Sequence, residues 1–362
     1  MRDYNVADVR VLSAVNWPIY SSVPEGGIHP GNVFSDSGGY WFFRFWPSRF
    51  KVSAIGIDKH KLTYRIDSRL PLSVLGGLRV ALSSKGHDVV IINGSRLGLP
   101  ASLFLRCSPG KRVAIIDNAM SDFVGEDSRL ANLVCRFLLR GVSLVVCHSS
   151  EQVSIYNRFL SSSSTKFVFI PYGVGDEEIR TESIPFLGDY VFAGGDAYRD
   201  YGTLCTALKG TGIRAVVAAG LMDVDKRQIP QEVQYIGRIG FDRYKEVMAR
   251  SRIVVVPLRR RPVSQGQLAI TQAMGMGKTV VATDSLGTRD YITNGKTGFL
   301  VPPRDALALR TTLRSLWNDD QKLICVGEAA RRDAQSRFSE ERMAQGVLAE
   351  IEVLISNPTS DK

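Results

Sequence analysis

VVVPLRRRPVSQGQLAITQAMGMGKTVVATD, residues 254–284, reads as a strand, a basic loop, a helix, a Gly-Lys turn and a second strand. The β-branched runs at its two ends have the composition of parallel strands buried on both faces. Near Ser264 the helix would begin. Its first amides, 264–267, lack intrahelical acceptors and carry the positive end of the dipole, so they can hold a diphosphate without a metal. Arg259, Arg260 and Arg261 stand just upstream. Gly266 lets a ligand approach the backbone closely, with Gln267 and Leu268 beside it. Gln272 lies eight residues beyond Ser264, about two turns further and rotated ~80°. A carboxamide there could bond both ribose hydroxyls, donating to one and accepting from the other. The alternative is that Ser264 caps a core helix and Gln272 is a solvated polar position.

Outward from this stretch, short β-branched runs alternate with helical patterns along the whole chain. Residues 10–15, 52–57, 89–92, 113–116, 144–147 and 167–170 read as strands of the first half. Residues 190–193, 215–219, 233–236, 253–257 and 279–283 repeat the design in the second. The alternation predicts an α/β fold of two doubly wound domains. The seam should lie in 171–189, where Pro171, Gly173, Gly175, Gly188 and the acidic Asp176, Glu177 and Glu178 interrupt the pattern. A linker near Pro185 gives domains of 1–184 and 185–362. At the end, Ser339, Glu340 and Glu341 start a helix with Met343, Val347, Leu348, Ile351, Leu354 and Ile355 three or four apart, a stripe that must pack back on something.

Composition narrows the class. With 362 residues, 44% apolar and 23% charged, the chain has the make-up of a globular protein with a core in each of two domains. The first ten residues lack the apolar core of a secretory signal, and no apolar run reaches the ~18 residues of a membrane span, so a cytoplasmic location is expected. Five widely spaced cysteines, none in a C-x-x-C pair, suggest buried free thiols rather than a disulfide framework or zinc site. A net charge of +10 calls for an anionic partner: a nucleotide phosphate, an anionic lipid surface or a nucleic acid. The basic residues are spread along the chain without a nucleic-acid motif, which argues against the last.

Five blocks occur in order: FVFIPYGVGDEEI from Phe167, VFAGGDAYRDYGTLCTAL from Val191, VQYIGRIGFDRYKEVMARSRIVVVPL from Val233, the helix above, and SLGTRDYITNGKTGFLVPPRD from Ser285. Together they resemble the C-terminal domain of glycosyltransferase family 4, retaining enzymes of the GT-B fold that use nucleotide-diphosphate sugars. The resemblance implies two Rossmann-like domains facing a central cleft. It also implies transfer of a sugar, with retention, to a glycan, lipid-linked or small-molecule acceptor in polysaccharide or glycoconjugate biosynthesis. The donor would be a UDP- or GDP-sugar, with no cofactor and no metal. On the same grounds Gly194, Gly195, Arg199 and Arg238 join Ser264, Gly266, Gln267, Leu268 and Gln272 as donor-binding candidates. Family members carry glutamates at the positions of Ser264 and Gln272, and an arginine and a lysine at those of Asp196 and Arg199. Loss of the glutamates replaces charge-assisted bonds by neutral ones and opens a second reading, a catalytically silent partner that binds a glycan or nucleotide. A nucleotide-sugar epimerase would need acid and base carboxylates, and no clear pair is present.

The first half matches the family less well. In place of a glycine-rich turn after the first strand it has a long aromatic segment, residues 16–50. Gly26 and Gly27 are the close-approach candidates there, with His29 and Asp36 nearby as polar contacts. His29 stands for a chemical role against simple solvation, and Asp117, at a strand end, for a general base against a helix cap. The run YWFFRFWPSRFK from Tyr40 suits a membrane interface or a sugar-stacking platform on one reading, and a buried first helix on the other, favoured one. Peripheral contact with an anionic membrane is thus an expected partner alongside the nucleotide sugar and its acceptor. Asp223 and Asp225 have metal-binding spacing but sit beside Lys226 and Arg227, away from the expected phosphate site.

Overall fold

The computed structural model describes residues 8–356 apart from 24, 26, 28, 35–39, 57–61, 109, 118, 123, 162–164, 176–186, 221–226 and 228. Contacts divide the chain into two compact units: Met1–Val23, His29–Ile170 and Met343–Lys362 in the first, Pro24–Ile28 and Pro171–Arg342 in the second. The expected linker at Pro185 lies outside the described residues, as do Gly26, Asp36, Asp223 and Asp225.

Each unit is built on a six-stranded, wholly parallel sheet. In the first, β1 (Val9–Ala14), β2 (Phe50–Ile55), β3 (Val89–Asn93), β4 (Arg112–Asp117), β5 (Leu144–Cys147) and β6 (Lys166–Phe169) lie in the order β2-β1-β3-β4-β5-β6. In the second, β7 (Val191–Gly194), β8 (Ala215–Ala218), β9 (Val233–Tyr235), β10 (Ile253–Val256), β11 (Val280–Thr283) and β12 (Phe299–Val301) lie in the order β12-β11-β10-β7-β8-β9. Strands such as Val89–Asn93 and Ile253–Val256 are buried at every residue, the signature of sheets covered on both faces. The strand order reverses between β1 and β3 and between β7 and β10, and in open α/β sheets ligands bind at such switch points, beyond the strands' carboxyl ends.

The predicted strands are found within two residues of their expected bounds, and β12 is the addition. Only three residues long, with Phe299 and Leu300 partly exposed, it has too little apolar run to announce itself. The aromatic run forms a 3-10 helix, Trp41–Phe45, rather than a first α-helix. Tyr40, Trp41, Phe42, Phe43 and Trp46 are buried against one another, with Phe42 and Phe43 stacked at 4.3 Å, which leaves Phe45 as the partly exposed ring of this run. The helix Glu340–Ser356 begins at the end of the second unit, and from Met343 onward it packs on the first. Ala344 O accepts from Trp46 Nε1 at 3.0 Å, and Leu354 O from Arg112 Nε at 2.8 Å, while Met343, Val347 and Ile351 enter the core. Cys135, Cys147 and Cys205 are buried thiols as expected, whereas Cys107 and Cys325 are exposed.

Lys278, in the Gly-Lys turn, is enclosed; its Nζ donates to Ser251 O at 3.0 Å. Burial pushes its ammonium down from 10.5 to about 8. Between those values the unfolded chain binds the extra proton, so this group's penalty, on the order of 3 kcal/mol, is full below about 8 and fades as pH rises. Lys278→Met should therefore gain stability over the native chain at pH 7.5 and lose that advantage by pH 10.5 in urea titrations; a pH-independent difference contradicts the assignment.

Candidate functional site

The second unit's switch point brings together the loops after β7 and β10. Asp200 N donates to Pro257 O at 3.0 Å, Arg259 N to Tyr198 O at 2.9 Å, and Arg199 and Leu258 form an antiparallel bridge. Arg259 Nε adds a bond to Arg199 O at 3.0 Å. These contacts fix the two loops as one wall. Behind them Thr283 Oγ1, at the end of β11, accepts from Leu258 N at 2.8 Å.

Glycine is required at three points of this wall. A Cβ on Gly194 would come within 2.4 Å of the Tyr244 ring, which lies over the strand end. Gly195 has φ 98°, and its turn is held by Arg199 and Tyr201, whose hydroxyl donates to Gly195 O. Gly266 has φ 85° and is the N-cap of the helix Gln267–Gly275, with Val256 and Leu258 packed beneath it. The helix thus begins three residues after Ser264, which is not its cap. Its first helical bond runs from Ile270 N to Gly266 O, so the amides of Gln267, Leu268 and Ala269 have no intrahelical acceptor. The amides left over are therefore 267–269 rather than the expected 264–267, and they carry the positive end of the helix dipole, which suits an anion.

Polar groups around this terminus are buried without being used up. Ser264 and Gln267 are bonded to each other, Gln267 Nε2 donating to Ser264 Oγ, and Thr271 Oγ1 donates to Gln267 O at 3.0 Å. Gln272 lies one turn below Leu268 on the same helix face. It is 2% exposed, and among the described residues its carboxamide has no hydrogen-bond partner. Gln265 Oε1 and Ser285 Oγ are likewise enclosed without partners. Buried polar groups are normally satisfied, and three idle ones in consecutive segments mark a place for a polar ligand. Gln265 and Ser285 carry no sequence signal; only the fold shows that they are enclosed.

The cations are distributed unevenly. Arg199 is 8% exposed, its Nε donating to Gly194 O at 2.9 Å and its Nη1 to Ala197 O at 2.8 Å. It braces the glycine turn while leaving its charge there. Arg238 is exposed and paired with Asp196, whose other oxygen accepts from Gly220 N. Asp196 thereby joins the ends of β7, β8 and β9. Arg259, Arg260 and Arg261 are exposed on the β10 loop.

The candidates of the N-terminal half fall in both units, Asp117 and His29 in the first and Gly27 in the second. Asp117 is fully buried at the end of β4: Met120 N donates to its Oδ2 at 3.2 Å and Tyr156 hydroxyl to the same oxygen at 2.6 Å. This is the helix-cap alternative, for the 3-10 turn Met120–Asp122, and no solvent reaches the carboxylate. His29 caps another 3-10 turn, Pro30–Asn32, accepting from Gly31 N at 3.0 Å with its ring 5.6 Å from Trp41. Gly27 adopts φ 70°. At the first unit's switch point stand Asn16, Gly94 and Asn93, the last 4% exposed and, among the described residues, with no partner for its Nδ2. Sequence reading passed over Asn93 because it looks like the end of an apolar strand.

Residues 208–319 match the family model described as glycosyl transferases group 1. The chain is 22% identical over 221 residues to O-antigen chain mannosyltransferase C of Escherichia coli, covering 57% of this chain and 59% of that one. It is 29% identical over 116 residues to sulfoquinovosyl transferase SQD2 of Arabidopsis thaliana, covering 31% of this chain and 22% of that one. It therefore spans less than two thirds of either relative. Among solved structures, Anabaena Alr3699/HepE in complex with UDP matches with TM-score 0.67 at 15% identity, over 95% of this chain and all of that one. Sucrose-phosphate synthase of Thermosynechococcus elongatus matches with TM-score 0.69 at 15% identity, over 96% and 99%. These likenesses show the fold: two parallel α/β units of the GT-B class.

Gly266→Ala tests the wall. A side chain at φ 85°, with Val256 Cγ1 only 3.1 Å from the new Cβ, should cost about 1–3 kcal/mol in urea denaturation. An unchanged midpoint would show that the left-handed cap is not needed.

Proposed function

We propose that the chain is a glycosyltransferase that takes its sugar from a nucleoside-diphosphate donor, a UDP- or GDP-sugar. The observation that carries this is the joined β7 and β10 wall, with the free amides of Gln267, Leu268 and Ala269 at a switch point. The match of residues 208–319 to glycosyl transferases group 1 and the likeness to a UDP-bound fold support the same reading. In it, the diphosphate lies against the helix terminus and the Gly194–Gly195 turn, and the Gln272 carboxamide meets the ribose. Leaving-group charge is stabilised by preorganised amides and by Arg199, with Arg259, Arg260 and Arg261 adding field. No metal is called for, because the helix terminus already supplies the positive potential.

Retention of configuration, a glycan or lipid-linked acceptor, work in surface-polysaccharide biosynthesis and a cytoplasmic location complete the proposal. Asp117 has no part in it, since its oxygens are committed to a cap and to Tyr156. His29 stays a candidate acceptor contact. The described residues contain no helix long and apolar enough to cross a membrane.

A second reading, a silent nucleotide- or glycan-binding partner, is favoured by one observation: where the family has glutamates this chain has Ser264, already bonded to Gln267, and neutral Gln272. Two measurements separate the readings. UDP or GDP at about 100 times its Kd should stabilise the chain by ~2.7 kcal/mol, a rise of a few degrees in Tm. Gln272→Ala should weaken binding about tenfold. If no nucleotide moves Tm, the donor site is wrongly placed. Slow release of nucleoside diphosphate from a hydrolysed donor sugar, accelerated by acceptor, marks an enzyme; binding without release marks the silent partner.

A further inference from the structure

The first unit carries a surface that the proposed activity does not use. The connections β2 to β3, β3 to β4 and β4 to β5 all step the same way across the sheet, so right-handed crossovers put their helices on one face. The three long helices of these crossovers are Val74–Ser83, Ser95–Leu105 and Arg129–Leu139. In the last, Asn132, Cys135, Leu138 and Leu139 are buried, so the inward side is complete. Yet Leu130, Leu133, Val134 and Phe137, at spacings of three and four, are 75%, 63%, 45% and 47% exposed. Leu103 on the middle helix and Val74, Leu78 and Leu82 on the first are exposed as well. Eight of the fifteen exposed large apolar residues among those described thus sit on three neighbouring helices.

Charge on the three helices has one sign, although the exposed Glu126 and Asp127 precede the last of them. None of the three helices contains Asp or Glu, while Arg79, Arg96, Arg129 and Arg136 lie in them and Lys85, Arg106 and Arg140 close their ends. Arg106 stacks over Phe137 at 4.6 Å. The next helix, Ser150–Leu160, turns polar Glu151, Ser154, Asn157 and Arg158 outward, and the apolar surface stops there. A contiguous apolar face rimmed by cations is the make-up of a segment lying in a bilayer interface. A second copy docked on the same face would set arginine rim against arginine rim. An acidic headgroup layer supplies the missing charge.

We propose that the outer face of these three helices seats the chain on an anionic lipid surface. The proposal rests on this face alone and stands or falls separately from the transferase reading. The test is co-sedimentation of the full chain with vesicles of phosphatidylcholine alone or with about 30 mol% phosphatidylglycerol. Binding is expected only to the anionic vesicles and should weaken at high salt. L133E/F137E should reduce it roughly tenfold or more, R129E/R140E should abolish the preference for anionic lipid, and N157E should change nothing. All three replace exposed side chains, and an unchanged cooperative unfolding transition verifies that the fold is intact in each. Equal binding by L133E/F137E, or no binding by the native chain at low salt, overturns the proposal. So does a native dimer that L133E/F137E converts to monomer without any vesicle binding, which assigns the face to a second copy.

Discussion

The second unit's chemistry depends on the backbone pairing of residues 198–200 with 257–259. Two loops that leave neighbouring strands on opposite sides of a topological switch would otherwise diverge, each with its own freedom. The bonds from Asp200 N to Pro257 O and from Arg259 N to Tyr198 O tie them. Ordering one loop therefore orders the other, and the conformational entropy of the site is lost on folding rather than on binding. Gly194, Gly195 and Gly266 are consequences of the same constraint: side chains there would meet Tyr244, Arg199 or Val256.

Within this wall the division of labour differs from what the residue types suggest. Arg199 looks like a phosphate-binding cation, but two of its guanidinium nitrogens hold the carbonyls that shape the glycine turn. Such charge-assisted bonds in a buried place are among the stronger ones a fold has. Its charge acts as a fixed field from beneath the turn. Asp196 ties down Arg238 and the end of β8, so an anionic position in the turn is offset by a cation from the next loop but one. Local potential then comes mainly from the free amides of the helix terminus, which need no counter-charge and no reorganisation.

Sequence made the sheets legible because buried parallel strands must be continuous apolar, β-branched runs, as Val89–Asn93 and Ile253–Val256 are. Strand order is a tertiary property, and so the switch points, and with them Asn93, Gln265 and Ser285, could not be read from the chain. Asp117 shows the same limit from the other side. Its position after a strand fits both a base and a cap, and only the burial of its carboxylate beside Tyr156 decides between them. The aromatic run misled through composition: Trp41–Phe45 is too short to face a sheet as a helix, and its rings pack chiefly on each other. Conversely, the helices of the basic apolar layer carry no mark in the sequence beyond their place between strands. Their outward leucines become conspicuous only once the inward face is seen to be already full.

The most direct test of the central claim is amide hydrogen exchange of the full chain, with and without saturating UDP or GDP. The account predicts slowed exchange at Gln267, Leu268 and Ala269, the amides with no intrahelical acceptor, together with Gly194 and Gly195. Nucleotide binding that slows exchange elsewhere while leaving these five amides unchanged would contradict it.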